Sequence, residues 1–136
     1  MRLYLDTSVL VAALTNEVST LKVQQWLARQ EPGSLSISRW VSTEFSSALS
    51  IKTRTAQITS KQRADVMAEF AQLKSDTLLV HEIEVHHFES AALLAGRHEL
   101  SLRAGDALHL SIALNLGVTL ATLDRILAGA ALAVGV

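Results

Sequence analysis

The chain has 136 residues, 49% of them hydrophobic, with a single Pro, which suits one packed domain over residues 1–136 and excludes a disordered segment. A formal net charge of −1 excludes a global basic field, so any binding to nucleic acid needs a local patch or a bound cation. The absence of Cys excludes disulfides and thiolate metal sites and suits a reducing cytosol, and no apolar stretch approaches the roughly 20 residues of a membrane span.

Leu3-Tyr4-Leu5 is a short apolar run that stops on Asp6 and is followed at once by Thr7-Ser8. A run buried on both faces is typical of a central parallel strand, so the pattern predicts a strand with a carboxylate at its tip. Thr7 or Ser8 is expected to cap the helix begun by Val9 to Leu14. Only Arg2 separates Met1 from the apolar run, and no signal peptide is expected there. Leu21, Val23, Trp26 and Leu27 recur at helical spacing until Glu31-Pro32-Gly33 ends the run.

Ser34 to Ser38 reads as a short strand, and a helix is expected from Arg39-Trp40 onward, with Val41, Phe45, Ala48 and Leu49 as its apolar stripe. Glu44 lies inside that stripe. A charge on a buried face either snorkels to the rim or serves a purpose. Thr59-Ser60-Lys61-Gln62 offers a capping box for a further helix carrying Val66, Met67, Phe70 and Leu73. Arg39, Lys52, Arg54, Lys61 and Arg63, five of the twelve basic residues, fall in this helical hairpin. They make either a solvated face or a phosphate-contacting rim.

Leu78-Leu79-Val80 is the next strand candidate, and Phe88, Ala91, Ala92 and Ala95 run on helical spacing between Val85 and Leu100. His86 and His87 are adjacent and cannot chelate together, and His81, His98 and His109 show no metal-ligand spacing. All five are read as ordinary surface or rim residues. Leu102 to Leu114 is apolar on nearly every face, hence a buried helix, with Asp106 in or near its first turn. Gly117 stops it, and Val118 to Ala121 is a short strand. Thr122-Leu123-Asp124 then repeats the opening pattern of a hydroxyl and a carboxylate at a strand end, with Asp124 placed to cap a helix from Arg125 to Ala128. Ala133 to Val136 is expected to add a final edge strand.

Four carboxylates thus share a property: Asp6 and Asp124 end strands, while Glu44 and Asp106 sit on helices that are otherwise apolar nearby. Parallel strands bring their ends to one edge of a sheet, where ligands bind in open α/β folds. Two carboxylates about 5 Å apart repel by roughly 3 kcal/mol at an effective dielectric of 20, so a cation is needed between them. Oxygen-only donors select a hard ion, Mg²⁺ or Mn²⁺.

The sequence resembles the PIN-domain ribonucleases, in particular the VapC toxins of toxin-antitoxin pairs. The resemblance runs the whole chain and rests on four motifs. These are Leu5-Asp6-Thr7-Ser8, Ser42-Thr43-Glu44-Phe45, the segment Leu102 to Leu110 around Asp106, and Ala121-Thr122-Leu123-Asp124-Arg125. It implies a three-layer α/β fold with a central five-stranded parallel sheet flanked by helices. It also implies a Mg²⁺-dependent endoribonuclease whose metal-activated water leaves a 5′-phosphate and a 3′-hydroxyl, a cognate antitoxin that blocks the site, and a homodimer. Asp6, Glu44, Asp106 and Asp124 fall on the family's acidic catalytic positions, with Asp6, Asp106 and Asp124 on the metal, and Thr7 and Thr122 match hydroxyls near it. The chain ends at Val136, which leaves the fifth strand short. Single-stranded or looped RNA is the expected substrate, its backbone being accessible to a recessed site.

Two other readings compete. An aspartyl-phosphate phosphatase also begins with a strand-end Asp, but needs a second Asp two residues later, where Ser8 stands. A PIN-like RNA-binding or scaffold module without chemistry is expected to have lost one or more of the acids, and all four are present.

Overall fold

The computed structural model describes residues 1–136. In chain order the elements are β1 (Leu3–Leu5), α1 (Thr7–Leu14), α2 (Thr20–Ala28), β2 (Leu35–Ser38), α3 (Arg39–Arg54), α4 (Ser60–Asp76) and β3 (Leu79–His81). They continue with α5 (Val85–Gly96), a 3₁₀ turn (His98–Leu100), α6 (Ala104–Leu116), β4 (Thr119–Ala121) and α7 (Arg125–Ala133). The four strands form one parallel sheet in the order β3-β2-β1-β4.

β1 is central because it is buried on both faces. Its register pairs Leu3 with Leu35 on one side and Leu3, Tyr4 and Leu5 with Thr119, Leu120 and Ala121 on the other. The Asp6 amide continues the second ladder by donating to the Ala121 carbonyl. Asp6 and Thr122, the residues just past the paired segments, therefore leave the sheet side by side.

A fifth strand is not present. The Ala-rich run after Asp124 continues as helix through Ala133 instead of stopping at Ala128. Gly135 then takes a left-handed conformation and the Val136 amide donates back to the Ala131 carbonyl, an αL helix ending of the kind Gly favours. Those bonds hold residues 134–136 against the helix end, so no extended edge strand forms.

Asp6, not Thr7 or Ser8, is the N-cap of α1: its backbone is extended and its side chain accepts from the Val9 amide. Asp ranks at or above Ser and Thr as a cap. α3 follows β2 without a loop and runs long enough to take Lys52 and Arg54 into its last turn. The helix expected from Val85 to Leu100 breaks after Gly96 into the 3₁₀ turn, which Ser101 ends in a left-handed conformation.

A cluster of 26 buried hydrophobic residues fills the space between sheet and helices. α6 is its most enclosed helix, with every residue from Ala107 to Ala113 buried, as its apolar faces require. α4 joins through Phe70, whose ring lies 4.2 Å from that of Phe45 on α3, with the Lys74 ammonium 4.6 Å from its centre. The Thr59–Gln62 capping box is formed, Thr59 Oγ1 accepting from the Gln62 amide and Gln62 Oε1 from the Thr59 amide.

These features order two substitutions. Phe70→Ala is expected to cost about 3–5 kcal/mol, the range for a large aromatic removed from a core, and Thr59→Ala about 1 kcal/mol for a lost cap. Urea denaturation of both variants, read by circular dichroism, checks the ranking; equal midpoints would contradict the packing described for α4.

Candidate active site

The carboxyl edge of the sheet carries Asp6 after β1 and Thr122 after β4, and α3, α6 and α7 all start there. Asp6 is 4% exposed. Its Oδ1 accepts from Ser8 Oγ at 2.5 Å and from the Val9 amide at 3.4 Å, and its Oδ2 accepts from Thr122 Oγ1 at 2.5 Å. Thr122 Oγ1 in turn accepts from the Asp124 amide at 3.0 Å, and Ser8 Oγ from the Leu123 amide at 3.0 Å. Residues 6–8 and 122–124 are thereby stitched together. Asp124 Oδ1 caps α7, accepting from the Ile126 and Leu127 amides at 2.8 and 3.1 Å.

Glu44 lies on α3 less than two turns beyond its N-cap, Ser38. Its Oε1 accepts from Thr7 Oγ1 at 2.6 Å and bonds His109 Nε2 at 2.5 Å. Its Oε2 is so close to α6 that a Cβ on Gly105 would stand 3.0 Å from it and 3.2 Å from Trp40 Nε1, so a side chain there would displace Glu44 or Trp40 by a few tenths of an ångström. Asp106, in the first turn of α6, is partly buried and neither hydrogen-bonded nor ion-paired to any protein group.

The four acids differ in their electrostatics. Burial pushes the Asp6 carboxyl above the ordinary range, against the pull of its Ser8 and Thr122 bonds, the His109 charge and the Val9 amide. Asp106 is also raised, first by burial, then by the charge of Asp124, with Glu44 and Asp6 adding and His109 opposing. Burial disfavours the Glu44 charge too, yet the bond and charge of His109 and the Thr7 bond outweigh it, and Glu44 sits below the ordinary range. No Lys or Arg pairs with any of the four. Arg39, Lys52 and Lys61 of the helical hairpin are engaged elsewhere, with Glu82, Glu17 and Asp65.

Glu44 and Asp124 stand on the wall of an 840 Å³ cleft, with Thr7, Ser8 and Trp40 beside them; Asp6 and Asp106 do not reach it. As the side chains stand, no three Asp, Glu or His groups converge on one point that would hold a cation. The reason is visible in the bonds: both Asp6 oxygens are turned to hydroxyls and one Asp124 oxygen to helix amides. In chemistry the donor set fits a hard divalent ion. It is all oxygen, it lacks Lys and Arg partners, and it includes one carboxylate, Asp106, whose charge burial and then the neighbouring acids disfavour and no hydrogen-bond donor compensates.

The sequence reading places His109 at the surface or rim, and the structure corrects this. His109 is 1% exposed and joins Glu44 to Tyr4. His87 is buried as well, its Nδ1 accepting from the Glu84 amide at the start of α5. A signal for His109 was present: it stands three residues after Asp106 on a helix apolar all round, so it shares a face with that acid. Tyr4, a hydroxyl inside an all-buried strand, also called for a buried partner.

A family model of the PIN domain matches residues 3–132. No curated protein matches the chain by sequence. Among solved structures, the chain is similar to Mycobacterium tuberculosis VapC20, described as a sarcin-ricin loop cleaving toxin, with a TM-score of 0.75, 18% identity and 94% of both chains covered. It is similar to FitAcB from Neisseria gonorrhoeae with a TM-score of 0.71 and 19% identity, over 95% of this chain and 92% of that one. A third likeness is to VapBC2 from Rickettsia felis, solved on a DNA fragment from its promoter, with a TM-score of 0.65 and 20% identity over 91% and 88% of the two chains. At these identities the likeness establishes the fold.

The raised Asp106 carboxyl has a signed consequence. A group whose folded pKa lies above its unfolded value stabilises the fold when protonated, and that stability is lost as pH rises from the ordinary carboxylate pKa, about 4, through the folded one. In EDTA, Asp106→Asn is therefore expected to flatten the decline in melting midpoint towards neutral pH and to melt at or above wild type at pH 7. Millimolar Mg²⁺ is expected to raise the wild-type midpoint by binding the native state and the variant's much less. Asp6→Asn is expected to melt lower, because Asp6 has three protein donors to lose and Asp106 has none. An Asp106→Asn protein less stable than wild type in EDTA yet equally stabilised by Mg²⁺ would remove Asp106 from the site.

Proposed function

The chain belongs to the PIN-domain family, and on that premise we propose that it is a divalent-metal-dependent endoribonuclease and the toxin of a toxin-antitoxin pair. The observation that carries the reading is the set of four acids, Asp6, Glu44, Asp106 and Asp124, drawn to the carboxyl edge of a parallel sheet without a Lys or Arg to neutralise them. The toxin assignment is supported by the likeness to VapC20 and to a toxin-antitoxin complex from Klebsiella pneumoniae. No helix is long and apolar enough to cross a membrane.

Asp6, Asp106 and Asp124 would hold Mg²⁺ or Mn²⁺, which when bound lowers the pKa of a water and offsets charge developing on the scissile phosphate. The chain's own part is placement. The Ser8 and Thr122 hydroxyls fix Asp6, the α7 amides fix Asp124, and Thr7 fixes Glu44. Only Asp106 is left to be set by the ion. The cleft over Glu44 and Asp124 receives a phosphodiester backbone presented by a single strand or a loop, the kind of target that VapC20's own description names.

The acidic edge fits an antitoxin that places a basic side chain among the four acids. A homodimer is supported by α5, where Phe88 is 56% exposed beside an apolar hollow that also takes in Trp40, Ala92 and Ala95. Cytoplasmic action follows from the same reading, because a ribonuclease toxin meets its RNA there.

The test is cleavage of a mixed RNA substrate by the purified chain. Millimolar Mg²⁺ is expected to support it and EDTA to abolish it, with 5′-phosphate and 3′-hydroxyl ends on the products. Expression of the chain alone is expected to arrest a bacterial host, and Asp6→Asn to relieve the arrest. RNA binding without cleavage in any divalent metal would favour the scaffold reading instead.

A further inference from the structure

Behind Glu44 runs a line of buried groups that metal binding does not require. His109 Nε2 bonds Glu44 Oε1, His109 Nδ1 lies 2.7 Å from Tyr4 Oη, and Tyr4 Oη lies 2.8 Å from Ser38 Oγ. The line passes through α6, β1 and the junction of β2 with α3, and His109, Tyr4 and Ser38 are each at most 1% exposed. Partnered side chains this deep rigidify what they touch.

Counting protons gives the line a direction. The Tyr4 hydroxyl has one proton, which a phenol with an ordinary pKa of about 10 keeps at neutral pH. That proton goes either to His109 Nδ1 or to Ser38. In the first arrangement the imidazole is neutral, Nδ1 accepts, and the ring's one proton is on Nε2, facing Glu44. In the second, Nδ1 donates to Tyr4, and an ionised Glu44 against Nε2 requires a proton there as well, which makes the ring an imidazolium. Glu44 is held in its ionised form, so both arrangements put a proton on Nε2.

The two Glu44 oxygens are then unlike. Oε1 accepts from both Thr7 and His109, whereas Oε2 accepts from no protein group, and Glu44 lines the cleft. We infer that His109, backed by Tyr4 and Ser38, is a positioning residue that pins Oε1 and leaves Oε2 free to align the attacking water. This rests on the ribonuclease reading and extends it, separating Glu44 from the three metal-holding acids by role.

The test uses the full chain as wild type, His109→Leu and His109→Gln; the Gln amide nitrogen reaches the place of Nε2 and restores a donor to Glu44. In metal-free wild type, ¹⁵N spectra of the imidazoles are expected to show His109 protonated at Nε2. A His109 protonated at Nδ1 alone overturns the proposal without reference to activity. In Mg²⁺-supported cleavage, His109→Leu is expected to lower kcat on the order of 100-fold, the scale of a misplaced catalytic group, with KM nearly unchanged, and His109→Gln to recover most of the loss. A Leu variant with wild-type kcat, or Leu and Gln variants that lose activity together in step with their melting midpoints, overturns the positioning role while the ribonuclease reading stands. A wild type inert towards RNA in every divalent metal, with Nε2 protonated, overturns the ribonuclease reading and the positioning role with it.

Discussion

A carboxylate buried at the tip of the central strand must find donors or a cation, because a charge removed from water with neither is too costly to keep. Asp6 is in that position, and the carboxyl edge of the sheet is arranged around it. Two hydroxyls and a helix amide converge on its oxygens. The hydroxyls come from the two segments that leave the sheet next to each other, since Leu5 pairs with Ala121. Each hydroxyl oxygen then accepts from the 122–124 turn, which sets Asp124 at the head of α7. One buried charge thus organises both ends of the chain.

The remaining acids divide by what holds them. Glu44 is tied by Thr7 and His109, and its ionised form is favoured; Asp106 has no donor, and its ionised form is resisted. An ion at the proposed site would relieve more repulsion at Asp106 than at Glu44, whose charge the protein already stabilises. With Lys52 drawn off to Glu17 at the cleft wall and a net charge of −1, the surface offers a polyanion no strong field, and the proposed ribonuclease would depend on its cation for that attraction.

Much of this is legible in the sequence for physical reasons. β1 is readable because an apolar run ending on Asp6 suits a buried strand and little else, α6 because a helix apolar on every face has only the core to go to, and the Thr59–Gln62 box because capping is local chemistry. The departures were decided by longer-range competition. The tail's Ala residues continue a helix whose end Gly135 and Val136 close, which no strand propensity reveals. The α1 cap went to Asp6 because a buried carboxylate takes every nearby donor. The burial of His109 is legible from its place on the all-apolar α6, but its partners are not, because Glu44 and Tyr4 lie 65 and 105 residues away in sequence.

The sheet order also carries a timetable. β1 lies in the middle and is made well before its neighbour on one side, β4, after which Thr122 stands 116 residues beyond Asp6. A growing chain therefore carries Asp6 with neither Thr122 nor Asp124 available, and closing the loop between them is a long-range step in folding. The acidic edge is assembled only after β4 and the 122–124 turn have been made. A nascent copy that has not yet reached Thr122 and Asp124 thus lacks two of the groups that hold the acidic edge together, however well its first strand has folded.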